Sequence, residues 1–310
     1  MINGCDFTEK LFDILKLAYR QRDAVYRVGR IFKSAFDSGF SLKKIAAVFI
    51  AVLEMFGSVI LDLPVTPSGQ ELNLDGYRLV FCDEFDGDTL DTGVWFHRAE
   101  GPRRNGANSS SQVKLENGNM IMTSEYLEDG EYGAGWYSGM IALRQKYLRG
   151  YFEIRCKCND GGEFWSAFWI QAEHPYEHDI SNGGTGGAEL DIFESVSSSN
   201  KFDFNKNYVT QTIHCNGVDD DEENIDSRML GKFKANDIYN EYNTYGLEWT
   251  EDEYIFYING VETARSSFGK GVSEVEETVI VSLEIPNEIT HDKDFSSQFV
   301  VDYVKIWQKD

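Results

Sequence analysis

Residues 186–194 read Gly186-Gly187-Ala188-Glu189-Leu190-Asp191-Ile192-Phe193-Glu194. Side chains on a strand alternate between its faces, so Glu189 and Asp191 point one way and Leu190 and Ile192 the other. On a regular strand Glu194 falls on the apolar side. One extra residue near Ile192-Phe193, a β-bulge, shifts the parity and brings Glu194 round to join the other two acids. The stretch is then a strand with one apolar face and three carboxylates in a row on the other. Crowded like charges raise one another's pKa, which opposes folding but can serve acid–base chemistry. From spacing alone a solvated acidic edge fits equally well.

Strand signals extend outward from this stretch. From about Tyr77 onward, short aromatic and β-branched runs alternate with turn residues such as Glu116-Asn117-Gly118-Asn119 and Asn259-Gly260. Tyr254 to Ile258 followed by Asn259-Gly260 is a hairpin signal, because that pair tolerates the positive φ of a type I′ turn. No helix-length periodic segment stands out after residue 77. The expected fold is all-β, an antiparallel sandwich rather than an α/β sheet. Cys156 and Cys158 share the Phe152/Ile154 face of a strand from Tyr151 to Cys158, so they read as small buried hydrophobes. Five cysteines without paired spacing make no disulfide framework.

The first 63 residues differ. Apolar residues recur with a helical period from Leu11 to Ala35, decorated by Arg20, Arg22, Arg27, Arg30 and Lys33. Lys43-Lys44 then precede an apolar run over 45–61, broken by Glu54. Two readings of that run stand. One is a membrane anchor, although 17 residues is the lower limit for a span and a central Glu costs about 3 kcal/mol. The other is a soluble amphipathic helix. Pro64 to about residue 75 reads as a linker, with the main domain over 76–310. The chain carries a net charge of −23, while residues 1–44 are net positive by 4. So acidic a body repels phosphate backbones, which argues against nucleic-acid partners.

The three acids can be matched to a chemistry. Retaining glycosidases need an ionised carboxylate and a protonated carboxyl about 5–5.5 Å apart. A third acid between them can share a proton and hold the two states apart. The spacing of Glu189, Asp191 and Glu194 resembles the E-x-D-x-x-E signature of glycoside hydrolase family 16. Further family-like runs follow in the family's order. They are Leu79 to Gly87, Trp136-Tyr137-Ser138-Gly139, Gly150 to Arg155, Phe164 to Trp169, Tyr245 to Thr250 and Val301 to Trp307. The resemblance spans about Tyr77 to Gln308.

It implies a β-jelly-roll of two curved antiparallel sheets, preceded here by a small helical N-terminal segment. It also implies Glu189 as nucleophile, Glu194 as acid and then base, and Asp191 as the assisting acid, with no cofactor for catalysis. Trp165, Ala167 and Trp169 share one strand face, so Trp165 and Trp169 are candidates to stack on sugars; Trp136 is a further candidate. His214 matches a strand where the family places a cleft histidine. Glu84, Gly118 and Asp302 lie where some members hold a structural Ca²⁺, which favours oxygen ligands. Two departures bear on the substrate surface: Ser166 replaces a proline and Met140 an arginine. The expected activity is endo-hydrolysis of a neutral β-linked polysaccharide, a β-1,3- or β-1,3-1,4-glucan. The alternatives are an endo-β-galactanase or agarase-type hydrolase and a non-catalytic carbohydrate-binding jelly-roll. Such substrates imply an extracellular or cell-surface monomer, held at a membrane if 45–61 is an anchor.

Overall fold

In the computed structural model the described residues are 64–161, 163–172, 184–195, 207–215, 226–267 and 271–309. The helical period over 11–35 and the apolar run over 45–61 lie outside them, as do residues 173–183. Among the described residues no helix is long and apolar enough to cross a membrane.

The strands are β1 Tyr77–Asp83, β2 Trp95–His97, β3 Gly101–Arg103, β4 Gly106–Asn108, β5 Val113–Glu116, β6 Asn119–Leu127, β7 Gly135–Ser138, β8 Met140–Tyr147 and β9 Gly150–Lys157. They continue as β10 Trp165–Gln171, β11 Glu189–Ser195, β12 Tyr208–Cys215, β13 Asp226–Lys234, β14 Asn243–Trp249, β15 Tyr254–Ile258, β16 Val261–Ser266, β17 Glu277–Glu284 and β18 Ser296–Lys309. One sheet runs β16-β15-β14-β9-β18-β6-β7-β4-β3, with β1 added beside β18 and β5 beside β6. The other runs β13-β12-β11-β10-β17-β8-β2. Pairing is antiparallel throughout these strands except between β4 and β7. The expected turns hold: Asn259 and Gly260 have φ of 49° and 74°, Asn117 and Gly118 have 54° and 69°.

Alternation builds the core between the sheets. Phe152, Ile154, Cys156 and Cys158 from one sheet join Phe168, Ile170, Leu190 and Ile192 from the other in a single buried cluster. Each such side chain contributes on the order of 1.5–3 kcal/mol by leaving water. The seven-stranded sheet therefore has one face against this core. Its other face, open only in the sense that it turns away from this core, carries the site and a small buried cluster of its own.

The segment expected to be a linker is tied to both sheets. Val65 pairs with β13, the last strand of the seven-stranded sheet, through Val65 N–H to Lys232 O and Lys234 N–H to Val65 O, both 2.9 Å. A few residues on, Gly69, Gln70 and Leu72 pair with Gly260 and Glu262 beside β16, the last strand of the other sheet. Both strand edges on this side thus gain backbone partners, which removes unpaired ladders that invite aggregation. Leu72 and Leu74 also pack on Tyr151, Ile255 and Tyr257. Gly69 is required by close approach, since a Cβ there would lie 2.7 Å from Glu262 O. Gly69→Val should detach this segment at a cost of about 2 kcal/mol, given ~1 kcal/mol net per hydrogen bond. In a thermal melt that is a Tm loss of roughly 4–8 °C; an unchanged Tm would show that the strap adds nothing.

Candidate active site

The bulge sits where the sequence required it. Against β10, Trp169 faces Asp191 while Phe168 faces Phe193, so Ile192 has no cross-strand partner there. Against β12, the register likewise slips between Asp191 and Glu194. Ile192 and Phe193 both pack into the core, and Phe193 stacks on Tyr245 with ring centroids 4.1 Å apart. Glu189, Asp191 and Glu194 are left together on the open face, across from Gln171, Trp169 and Ala167.

Each acid has its own partner. Gln171 Nε2 donates to Glu189 Oε2. His214 Nε2 lies 3.0 Å from Asp191 Oδ2. Trp165 Nε1 donates to Glu194 Oε1 at 2.9 Å. Burial is the main perturbation, because a charge in a low dielectric loses its hydration. It pushes Glu189 and Glu194 above the ordinary glutamate range, opposed by His214 and by their hydrogen-bond donors. Asp191, 5 % exposed, is pushed up to about 8 by burial, with the charges of Glu194 and Glu189 adding to the effect. For His214 burial favours the neutral ring, but Asp191 and the two glutamates outweigh it and raise the imidazole. The Asp191–His214 pair therefore retains a proton near neutrality, shared across their contact.

The tryptophans separate into two groups. Trp165 and Trp169 lie on the open face with Phe96, Met140, Ala142, Ala167 and Ile280. Trp136 does not. Its ring is wedged in the core against Phe164 and Phe295, so it faces the space between the sheets and away from the three acids. Met140 lies on the open face as expected, but Ser166 points inward, bonded to Asn159 and Ser195. The serine in place of proline is thus a packing feature beneath the site.

The residues expected around a structural Ca²⁺ have other partners. Glu84 Oε1 accepts from Lys305 Nζ at 2.8 Å, and Asp302 accepts from Arg155. Gly118 belongs to the β5–β6 turn. Side-chain cations already neutralise both carboxylates, so this set does not fit a calcium ion. Among the described residues, the His, Cys, Asp and Glu side chains close enough to share a metal are Glu189, Asp191 and His214, within 4.8 Å of one another.

Sequence reasoning missed five polar residues of the open face. Arg98 lies over the Trp169 ring at 5.1 Å and donates to Gln171 Oε1 at 2.7 Å. Arg104 lies over the Trp165 ring at 4.9 Å, and Arg103 and Arg104 both donate to Glu284. Gln171 continues the parity of Trp165 and Trp169 and was within reach of that pattern. Glu284 was not, since only the pairing of β17 with β10 sets it opposite Trp165. Arg103 and Arg104 arrive on the short β3–β4 hairpin and Arg98 on the link before it, and neither stretch has a sequence signal for its destination.

The family model described as "Beta-porphyranase A-D, GH16 domain" matches residues 79–309. Endo-1,3-1,4-beta-glycanase ExsH of Rhizobium meliloti is 24 % identical over 211 residues, covering 65 % of this chain and 41 % of that protein. Beta-porphyranase E of Zobellia galactanivorans is 29 % identical over 203 residues, 60 % of this chain and 68 % of that one. The chain spans less than half the length of ExsH and about a quarter of EglC, another endo-1,3-1,4-beta-glycanase of Rhizobium meliloti. SCLam, a non-specific endo-beta-1,3(4)-glucanase from family GH16, shares the fold with a TM-score of 0.63 at 22 % identity, over 80 % of this chain and 97 % of its own. With a family model spanning most of its length and the three acids of the signature gathered on one bulged strand, the chain belongs to glycoside hydrolase family 16.

Proposed function

We propose that the chain is a retaining endo-glycosidase that cuts internal β-linkages of a neutral polysaccharide, a β-1,3- or β-1,3-1,4-glucan. The observation that carries this reading is the bulge, which turns Glu189 and Glu194 to one side with Asp191 between them. Glu189, as carboxylate, attacks the anomeric carbon while Glu194 gives its proton to the departing glycosidic oxygen. Glu194, now ionised, takes a proton from water as the water oxygen attacks the same carbon and releases Glu189. Two displacements retain the anomeric configuration. The Trp165 N–H fixes the orientation of Glu194, and the Asp191–His214 pair keeps a full negative charge from sitting between the two glutamates. The reaction needs no cofactor.

The names of ExsH and SCLam support a glucan substrate. A second reading, an agarase- or galactanase-type hydrolase, has a specific observation behind it. Arg98 and Arg104 cover ring faces of Trp169 and Trp165. Arg104 also sits at φ +51°, a conformation that costs a non-glycine residue about 1 kcal/mol or more. Guanidinium groups suit oxygen-rich or anionic substituents better than a bare aromatic platform does. The porphyranase-type family model points the same way. We place either activity at the cell surface or outside the cell, in a monomer; whether residues 45–61 hold it at a membrane is answered by fractionating the full-length chain.

Incubation with laminarin, lichenan, agarose and β-galactan, followed by reducing-end and product-size analysis, tests both substrate readings. Binding without new reducing ends would leave only a carbohydrate-binding role, and product of inverted configuration would rule out the two-step route. Glu189→Ala should lower kcat by about 10³-fold or more.

The pH profile should be a bell. Activity falls on the acid side as Glu189 takes up a proton and on the alkaline side as Glu194 loses one. Burial raises both groups, so both limbs lie above the ordinary glutamate range. Trp165→Phe removes a hydrogen bond that favours ionised Glu194, so its alkaline limb should move up by roughly half to one pH unit. A downward move contradicts the assignment of Glu194 as acid.

The tryptophans give a further contrast. Trp136→Ala should cost about 3–5 kcal/mol of stability with KM unchanged, and Trp169→Ala should raise KM. Calorimetry and initial-rate kinetics on the two variants measure this, and a raised KM for Trp136→Ala would return that ring to the cleft.

A further inference from the structure

Beneath the catalytic strand lies a carboxyl that the reaction above does not use. Glu277 opens β17, is fully buried, and is paired across the sheet with Tyr147. By strand parity it points to the core side, with Val279, Val281 and Leu283, away from Thr278 and Glu284 on the open face. Its Oε1 accepts the Ala188 N–H at 2.9 Å, and Oε2 has no partner among the described residues. A buried glutamate is rare unless it is paired, because leaving water costs it several kcal/mol.

What Glu277 holds is the entry to the catalytic strand. Ala188 directly precedes Glu189. Before it, Gly187 sits at φ +135°, and its N–H closes a turn onto Gly184 O at 3.3 Å. Behind it, the Glu274 N–H donates to Thr185 O at 3.0 Å, and the Ala172 N–H donates to Ala188 O at 3.1 Å. Ala188, the residue before the nucleophile, is thus held at its carbonyl by Ala172, just past β10, and at its N–H by Glu277. Among the described residues the bond to that N–H comes from a side chain on a different strand.

We propose that Glu277 is a positioning residue for Glu189, fixing the Ala188 amide and so the point where the nucleophile leaves the strand. This rests on the assignment of Glu189 as nucleophile. The groups that act on Glu277 are consistent with a neutral carboxyl. It is raised to about 8, chiefly by burial and to a lesser degree by the charge of Glu189, against the opposing effect of Ser273 and the Ala188 N–H. Tyr147 is pushed up to about 12 by burial, so it brings no charge at neutral pH. Tyr254, whose OH accepts the Ser273 N–H at 2.7 Å, is a further titratable group on this side. The sign follows from linkage: a carboxyl raised on folding gives stability that is full below the unfolded value near 4.3 and is lost as pH rises through about 8.

Glu277→Gln and Glu277→Ala in the full chain test the proposal. The amide of Gln can still accept the Ala188 N–H; Ala cannot. If Glu277→Ala does not fold, Glu277→Asp, one methylene too short, replaces it. Amide exchange at Ala188, followed by NMR, reads the contact without any substrate. We expect protection in wild type and Glu277→Gln, and exchange about tenfold faster in Glu277→Ala, the equivalent of about 1.4 kcal/mol. Turnover of an aryl glycoside with a good leaving group, which needs the nucleophile but little acid, reads its placement. There kcat should fall about tenfold or more in Glu277→Ala with KM unchanged, and Glu277→Gln should restore it to within about threefold. Unfolding across pH 5–9 should show Glu277→Gln gaining on wild type as pH rises. Unchanged Ala188 exchange in Glu277→Ala overturns the proposal, as does lost stability with full kcat. A wild type that turns over no substrate refutes the glycosidase reading instead, and the exchange result still decides whether Glu277 holds the strand.

Discussion

One residue too many in β11 organises this molecule. On a regular strand that kept Ile192 in the alternation, Glu194 would be driven into a core of Phe168, Leu190 and Tyr245. A carboxyl there would cost several kcal/mol in lost hydration. The bulge removes that conflict by sending two successive apolar residues, Ile192 and Phe193, inward and three acids outward. Phe193 then fills its place by stacking on Tyr245 of the opposite sheet. The bulge and the core beneath it are therefore one constraint: the packing of Ile192 and Phe193 holds the parity that the site requires.

Three acids on one face are tolerable because none is left as a bare charge. Glu189 is bonded to Gln171, Asp191 to His214 and Glu194 to Trp165, and burial favours protonated forms for all three. The same burial that makes the cluster unfavourable for folding keeps protons within it near neutral pH, which is what a proton-donating site needs. Glu277 extends this pattern below the strand, a carboxyl enclosed beside the nucleophile's backbone. Charge balance on the open face also departs from the chain as a whole. A protein of net −23 brings Arg98, Arg103 and Arg104 to the site, two of them over tryptophan rings. Net charge describes the far field, whereas a ligand at contact distance meets these guanidinium groups.

Residues 64–75 show how composition can mislead. Pro, Ser and Gly there have the look of a connector, and the chain does run through them without forming a named strand. Yet the backbone is bonded at Val65, Gly69, Gln70 and Leu72 to the last strands of both sheets. Local sequence reports that a segment will not make a regular element of its own. It is silent on whether an unpaired sheet edge lies within reach. The expected calcium residues failed for a related reason, since Lys305 and Arg155 come from neighbouring strand positions and reach the carboxylates first.

The sequence alone determined whatever depends on near neighbours along the chain. That covers the all-β class, the two turns with positive φ, the apolar and acidic faces of β11, and the need for a bulge near Ile192-Phe193. These follow from the two-residue period of a strand and from the steric freedom of Asn and Gly, which act over a few residues. Tertiary structure decided what depends on register between distant strands. It put Trp136 in the core and Trp165 at the site, although both lie in aromatic runs, because β7 and β10 present opposite sides to the space between the sheets. It set Glu284 across from Trp165, brought Arg98 and Arg104 over the rings, and slid Glu277 under Ala188. Pairing partners far apart in sequence are chosen by the packing of the whole core, and no local pattern encodes them.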